Sequence, residues 1–389
     1  MSLRGQAAIV GIGELKPERN SGGKTALELL AEVGRRAISD AGLGKSDIDG
    51  LLTGASFGDI SLMWPSTVAE YVGLRPSYAE CVDLGGASPA GMVWRAAAAI
   101  AAGQCTTALC LTADALDPAR FYAVRVPMPS IELEFEHPYG PMGANSGYAL
   151  AARRHMSLYG TTSDQLAKIA VDQRTNACAN PGAIFYGKPL TIEDVLNSPL
   201  IVDPLHLLEI VMPCAGGSAV VVTSADRARD LPHKPVYLLG AGEKVTHAGA
   251  ITHMPDYTVT PIKDTAAKAF AMAGLGPGDM DLVSVYDCYT ITVLLTLEDA
   301  GFCAKGEGGP FVMSTDLTYR GQLPVNTHGG QLSFGQAGLA GGMSHVTEAA
   351  RQLMGRAGDR QLARCEAAFV NGNGGILSEQ CSLVLGTSR

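Results

Sequence analysis

The sequence predicts a layered α/β fold built from two similar βαβ-rich halves, in which two sheets enclose a central layer of buried helices. Three observations carry that expectation. Hydrophobic residues make up 47% of the 389-residue chain and charged residues 17%, with 47 glycines, a composition suited to close backbone packing between α and β layers. Residues 41–49 read AGLGKSDID and residues 273–281 read AGLGPGDMD, so a helix end, a turn and a following strand recur at an offset of 232 residues. Residues 82–103, VDLGGASPAGMVWRAAAAIAAG, describe a helix with Arg95 as its one cationic side chain; a helix so apolar must be covered on nearly every side.

The elements follow in chain order. Residues 7–12 (AAIVGI) are an apolar run expected as a covered strand, and residues 25–41 a helix closed by Gly42. Within 82–103, Ser88 is the expected N-cap, Pro89 suits the first helical position and Gly103 a left-handed C-terminal cap. Residues 115–200, rich in Pro, Tyr and charge, interrupt the first half and read as an inserted loop region suited to substrate contacts. The second half repeats the pattern with a helix at 264–273, a strand at 282–286, the Gly-rich segment HGGQLSFGQAGLAGGM, a helix at 344–354 and a strand at 367–370. The halves are therefore expected at 1–235 and 236–389.

Several function classes are disfavoured. A net charge of −9 without a basic block speaks against nucleic acid. No run reaches the ~18 apolar residues of a membrane span, the first residues show no signal-peptide cleavage pattern, and the closing TSR is not a peroxisomal address. Nine cysteines without CxxC or ligand-like spacing predict neither a zinc site nor a disulfide framework, and a cytoplasmic protein is expected. GIGELK lacks the third glycine of a dinucleotide motif, and SGGKT lacks the opening glycine of a P-loop, where Glu18 stands instead. The N-terminus of the 88–102 helix, by contrast, offers free amide donors in a buried place suited to a reactive thiolate. The residues there are Gly85, Gly86 and Ala87, none of which can attack anything.

The phrases AIVGIGE, ISDAGLGKSDIDGL, HMSLYGTTSDQLAKIAVDQRTNACANP (155–181), SAVVVTSADRARDL (218–231) and VNTHGGQLSFGQAGLAGGMSHVTEA (325–349) occur in that order along the chain. Together they resemble the thiolase superfamily, in its sterol-carrier or lipid-transfer-protein-type branch. The resemblance implies a five-layered α/β/α/β/α fold, a homodimer or larger assembly, and acyl-CoA thioesters as substrates, with coenzyme A part of the substrate and no covalently bound cofactor. It also implies four catalytic stations: a nucleophilic cysteine at the head of the buried helix, a GHP-type histidine, a C-x-G cysteine, and an Asn or His motif in the second half. Aligned on those motifs, this sequence has Gly86 at the nucleophile, Gln336 at the GHP-type histidine, and Gly372 at the second cysteine with its glycine kept as Gly374. The branch's HDCF motif reads Tyr286, Asp287, Cys288 and Tyr289. In these departures the sequence is similar to cysteine-less thiolase-like aldolases that shorten steroid side chains and pair with a small OB-fold and zinc-ribbon protein.

The resulting expectation is a carbon–carbon lyase of retro-aldol type on a β-hydroxyacyl-CoA. Tyr286 and His328 are the acid/base candidates, Gln336 a polar contact to substrate or enolate, and Gly86, Gly374, Asp287 and Tyr289 oxyanion or substrate-binding residues. Bland roles stand beside these: Tyr286 as a space-filler, His328 as a tie within its loop, and Cys81 and Cys288 as small packed residues rather than displaced thiols. His247 and His253 lack a supporting carboxylate or thiol cluster, so no metal is expected. An acyltransferase working through Cys288 or a water, and a non-catalytic acyl-CoA or lipid binder, are the alternative functions.

Overall fold

A computed structural model of the chain describes residues 2–57, 59, 61–116, 130–140, 143–248 and 251–389. The strands are β1 (Ala7–Glu14), β2 (Gly50–Gly54), β3 (Tyr78–Val82), β4 (Thr107–Asp114), the hairpin β5 (Leu200–Val202) and β6 (Leu205–His206), then β7 (Gly216–Ser224), β8 (Val236–Val245), β9 (Leu282–Val285), β10 (Ala367–Gly374) and β11 (Glu379–Gly386). The principal helices are α1 (Ala26–Asp40), α2 (Trp64–Val72), α3 (Ser88–Ala101), α4 (Gly143–Tyr159), α5 (Ser163–Cys178), α6 (Ile262–Ala273), α7 (Thr290–Asp299) and α8 (Met343–Leu353).

The internal repeat is visible in strand order. Outward from the centre the first half runs β1-β7-β4-β2-β3 and the second β8-β11-β10-β9. In both, the first two pairings are antiparallel and the third is parallel. The parallel partner β3 is matched in the second half by a bridge between Val283 and Val325. The expected pair of sheets is in fact one hydrogen-bonded series of nine strands, because β1 and β8 meet at Ala8–Tyr237 and Ile9–Val236.

Strand residues alternate between two cores, so both faces are covered and the strands read as continuous apolar runs. Ala8, Val10, Leu109, Leu111 and Val221 join the core containing α1 and α2. Ala7, Ile9, Ala108, Cys110, Val220 and Val222 join a second core with Ala96 and Ala97 of α3 and Val346 and Ala350 of α8. Helix α3 touches strands of both halves as well as α8, which makes it the centre of the molecule. Its lone cation is spent on this packing: Arg95 reaches Glu243 of β8 at 2.5 Å and Glu80 of β3 at 3.4 Å.

Two local expectations need correction. Ser88 is the first residue of α3 and not its N-cap, which is Ala87. The Ser88 hydroxyl instead closes the preceding turn, donating to the Gly85 carbonyl at 2.6 Å and accepting from the Leu84 amide at 2.9 Å. Gly103 does take the left-handed conformation, at φ +69°. The expected loop insertion is largely helical: α4 buries Ala149, Ala151 and Ala152, and α5 starts at a capping box formed by Thr162 and Gln165 and buries Leu166 and Ile169. The Pro and Tyr content of the segment hid this helical spacing. Residues 117–129 and 141–142 of the insertion lie outside the described residues. Among the described residues no helix is long and apolar enough to cross a membrane.

Glycines set how closely the outer helices approach. A Cβ on Gly13 of β1 would lie 2.2 Å from the Val33 carbonyl of α1, and one on Gly242 of β8 2.2 Å from the Thr265 carbonyl of α6. The repeated GIGE and GAGE strings at 11–14 and 240–243 are thus the same packing device in each half. Gly13→Ala or Gly242→Ala should each destabilise the fold by about 1–3 kcal/mol through overpacking, read as a lower urea midpoint with unchanged slope.

Candidate active site

Tyr286 enters the site from the end of β9. Its backbone N–H donates to the Asn371 carbonyl of β10 at 2.9 Å. The preceding Val285 is gripped twice by Asn326, which accepts from its N–H at 2.7 Å and donates to its carbonyl at 2.9 Å. The ring then points at the head of α3. A Cβ on Gly86 would lie 2.4 Å from Cε2, Cζ and Oη of Tyr286, so the phenol fills the space a side chain at position 86 would need. Gln336 donates its Nε2 hydrogen to the phenol oxygen at 3.0 Å. Gln336, expected as a polar contact to substrate or enolate, is thus placed on Tyr286.

Backbone crowding surrounds this point. A Cβ on Gly372, where the second cysteine was expected by resemblance, would lie 2.8 Å from Cα of Ala87. One on Gly374 would lie 1.9 Å from the Leu84 carbonyl, and one on Gly342 2.2 Å from the Gly86 carbonyl. The second thiol station is therefore closed by contact of backbone with backbone, whereas the first is filled by the Tyr286 ring.

His328 lies on the loop between β9 and α8 and is 1% exposed. Its Nε2 is 3.1 Å from the Ser344 hydroxyl, and that hydroxyl donates to the Gly341 carbonyl at 2.8 Å. Nε2 must then carry the hydrogen, and Nδ1 is left as a buried lone pair with no partner among the described residues. Burial, followed by the neighbouring His345, holds the His328 pKa well below 6.5. Burial has the opposite consequence for Tyr286: with Cys288 and Asp287 nearby, its pKa rises, and the Gln336 hydrogen bond offsets only part of that. The rings of Tyr286 and His328 flank His345, with centroids 6.1 and 5.1 Å from it.

Asp287 and Tyr289 are buried and partnered. Asp287 accepts from the backbone N–H groups of Gln331 and Leu332 at 2.7 and 3.0 Å and sits 3.2 Å from His345, so its carboxylate anchors the His328 loop. Tyr289 donates to Asn145 of α4 at 2.5 Å and stacks on Tyr148 at 4.3 Å. The Cys288 thiol is buried, and burial pushes it up to about 12, which leaves it protonated. Cys81 is exposed on β3, where partial burial, Asp83 and Glu80 raise its pKa. All nine cysteines are free; the chain is not cysteine-less, and what it lacks is a thiol at the catalytic stations. His247 hydrogen-bonds to the Ile376 carbonyl at 3.1 Å, while His253 packs edge-on against Phe135.

Sequence reasoning missed the residues that hold this arrangement. Asn176 and Asn180 of the insertion clamp the His328 loop, donating to the carbonyls of Val325 and His328 at 2.9 Å each. Tyr148 donates to the Gly375 carbonyl at 3.0 Å and accepts from Asn373 at 2.7 Å. Buried Glu348 accepts from Thr327 at 2.7 Å and pairs with Arg360 and Arg351 at 2.8 and 3.0 Å. Burial alone would raise its pKa, but the two guanidiniums hold it far below the carboxylate range. The usable signal was a set of polar residues, Asn176 and Asn180 among them, within otherwise apolar helical spacing. An open cleft of about 500 Å³ lined by Lys16, Arg35 and Asp40 does not include Tyr286, His328 or Gln336.

A layered, duplicated α/β fold with a buried helix aimed at a site between its halves is the architecture of thiolases, and the chain belongs to the thiolase superfamily. The family described as "Thiolase C-terminal domain-like" matches residues 242–387. The chain is 36% identical to a steroid side-chain-cleaving aldolase of Thermomonospora curvata, covering 91% of each. It is also 36% identical to a 17-hydroxy-3-oxo-4-pregnene-20-carboxyl-CoA lyase of Mycobacterium tuberculosis, over 91% of this chain and 92% of that protein. Among solved structures, an Ltp2-ChsH2(DUF35) aldolase superposes with a TM-score of 0.90 and 35% identity over the whole of both chains.

A neutral buried imidazole makes stability depend on pH. Below 6.5 the unfolded chain binds a proton that native His328 refuses, so stability falls as pH drops through that region. Urea titrations between pH 7 and pH 5 should show a slope of up to about 1.4 kcal/mol per pH unit from this one group, and His328→Asn should remove it.

Proposed function

We propose that the protein is a coenzyme A thioester lyase that cleaves the Cα–Cβ bond of a β-hydroxyacyl-CoA by retro-aldol chemistry. The observation that carries this reading is the occupation of the acyl-cysteine place by the Tyr286 phenol. An acyl-enzyme through position 86 has no atom to form on, whereas retro-aldol cleavage needs a base at the β-hydroxyl and a site for a thioester enolate.

Two groups with pKa values pushed apart meet that need. His328, kept neutral, takes the β-hydroxyl proton on its free Nδ1. The hydroxyl oxygen becomes a carbonyl, the Cα–Cβ bond breaks, and its electron pair moves onto Cα and the thioester oxygen. Backbone amides at Gly86 and Gly374, beside the head of α3, serve that oxygen as donors. Tyr286, kept protonated by its burial and polarised by Gln336, returns a proton to Cα. Atoms balance as a ketone or aldehyde plus a shortened acyl-CoA. Asp287 and Tyr289 hold the two catalytic segments in place, and coenzyme A enters as part of the substrate with no separate cofactor. The steroid-directed relatives support a bulky lipid or steroid side chain as the acyl group, and the Ltp2-ChsH2(DUF35) likeness supports a small OB-fold and zinc-ribbon partner. A cytoplasmic homodimer completes the reading.

Mass spectrometry of β-hydroxy and β-oxo acyl-CoA esters incubated without free coenzyme A should show cleavage of the β-hydroxy ester. Tyr286→Phe and His328→Ala should each lower that turnover by roughly 10²–10⁴-fold, and Gln336→Leu by about tenfold. The acidic limb of kcat/KM should lie below pH 6.5, since a depressed pKa keeps His328 a base there. Unchanged turnover in both Tyr286→Phe and His328→Ala would remove these roles.

A further inference from the structure

The contact at Gly86 carries a second step, which rests on the lyase reading above. We propose that Gly86 is the reaction-determining residue of the site: the side chain it lacks is the room in which the Tyr286 phenol is held against Gln336, so that a side chain at position 86 and a working Tyr286 exclude each other.

The backbone does not ask for glycine at this position. Gly85 has φ +54° and is glycine for its own conformation, whereas Gly86 is outside the left-handed region. The atoms nearest a Cβ at 86 all belong to Tyr286: two ring carbons and the phenol oxygen, each 2.4 Å away. Both partners are held at their backbones, so the strain of this contact falls on the Tyr286 side chain. Tyr286 is 5% exposed and tied at its N–H to Asn371. The Gly86 carbonyl is packed on Gly342, and Gly85 lies against the backbone of Gly374 at 3.1 Å from its own Cβ position. A methyl group at 86 therefore moves the phenol by an ångström or so, on the scale of ordinary van der Waals contact, and breaks its 3.0 Å bond with Gln336. Gly86 itself touches the chemistry through its amide; its identity acts by positioning Tyr286.

The test is a cycle of Gly86→Ala with Tyr286→Phe and Tyr286→Ala, followed by urea midpoint and by kcat and KM for the cleavable β-hydroxyacyl-CoA. Gly86→Ala should lower kcat by roughly 10²-fold or more with KM nearly unchanged, and adding Tyr286→Phe should cost nothing further. Its midpoint penalty should persist with Tyr286→Phe, which keeps the ring, and vanish with Tyr286→Ala, which removes it. Penalties in kcat that multiply, or an equal midpoint loss with and without the ring, would overturn the proposal. If Tyr286→Ala fails to fold, the kcat comparison with Tyr286→Phe still decides. If the wild type cleaves no β-hydroxyacyl-CoA, the lyase reading fails, and the midpoint cycle still decides the role of Gly86.

Discussion

The Tyr286 ring and the absent side chain of Gly86 share one space at the head of α3, and the surrounding structure is arranged to keep it shared. Because α3 lies between strands of both halves, Gly86 and Ala87 at its head are buried away from solvent. Gly342, Gly372 and Gly374 each bring backbone against backbone there, which allows the close approach of α8 and β10. Interiors packed to this density transmit a methyl group's worth of volume directly to their neighbours. The position of one phenol oxygen is therefore set by the meeting of two half-sheets.

The same burial that fixes geometry also separates proton affinities. Removing water disfavours the phenolate of Tyr286 and the imidazolium of His328, so one group keeps its proton and the other stays without. Charge is instead gathered a short way off, in the cluster of Glu348 with Arg351 and Arg360, where guanidiniums compensate the carboxylate. That cluster grips Thr327, next to His328, and Asp287 grips the other end of the same loop. The loop carrying His328 is thus held by charges while its imidazole is kept neutral.

Much of the fold was legible because strand burial on both faces and the AGLG repeat are written in local sequence. The positions of Gly86, Tyr286, Gln336 and Gly374 were legible through order of motifs along the chain. Their mutual contact was not: Gly86 and Tyr286 stand 200 residues apart in sequence, and no periodicity links them. The insertion was misread for a different reason. Its helices are stabilised by tertiary pairs such as His155 with Glu298, fully buried at 3.0 Å, and such pairs leave only ordinary polar residues in the sequence. The junction of β1 with β8 was equally invisible, since strand edges pair through backbone groups that every residue carries.

Loss of a nucleophile alone would leave an empty place at the head of α3, and an empty place between packed layers costs stability or admits water. Here the place is filled by an aromatic ring that enters from the other half of the chain, with a hydrogen-bond donor supplied by a third segment. The second cysteine station is closed in a different way, by contact between Gly372 and the Ala87 backbone. Decay of a site would not produce steric complementarity at both stations and a partnered hydroxyl at one. A scaffold selected to run different chemistry would, because the Tyr286 ring fits only where position 86 has no side chain and its hydroxyl is then met by Gln336.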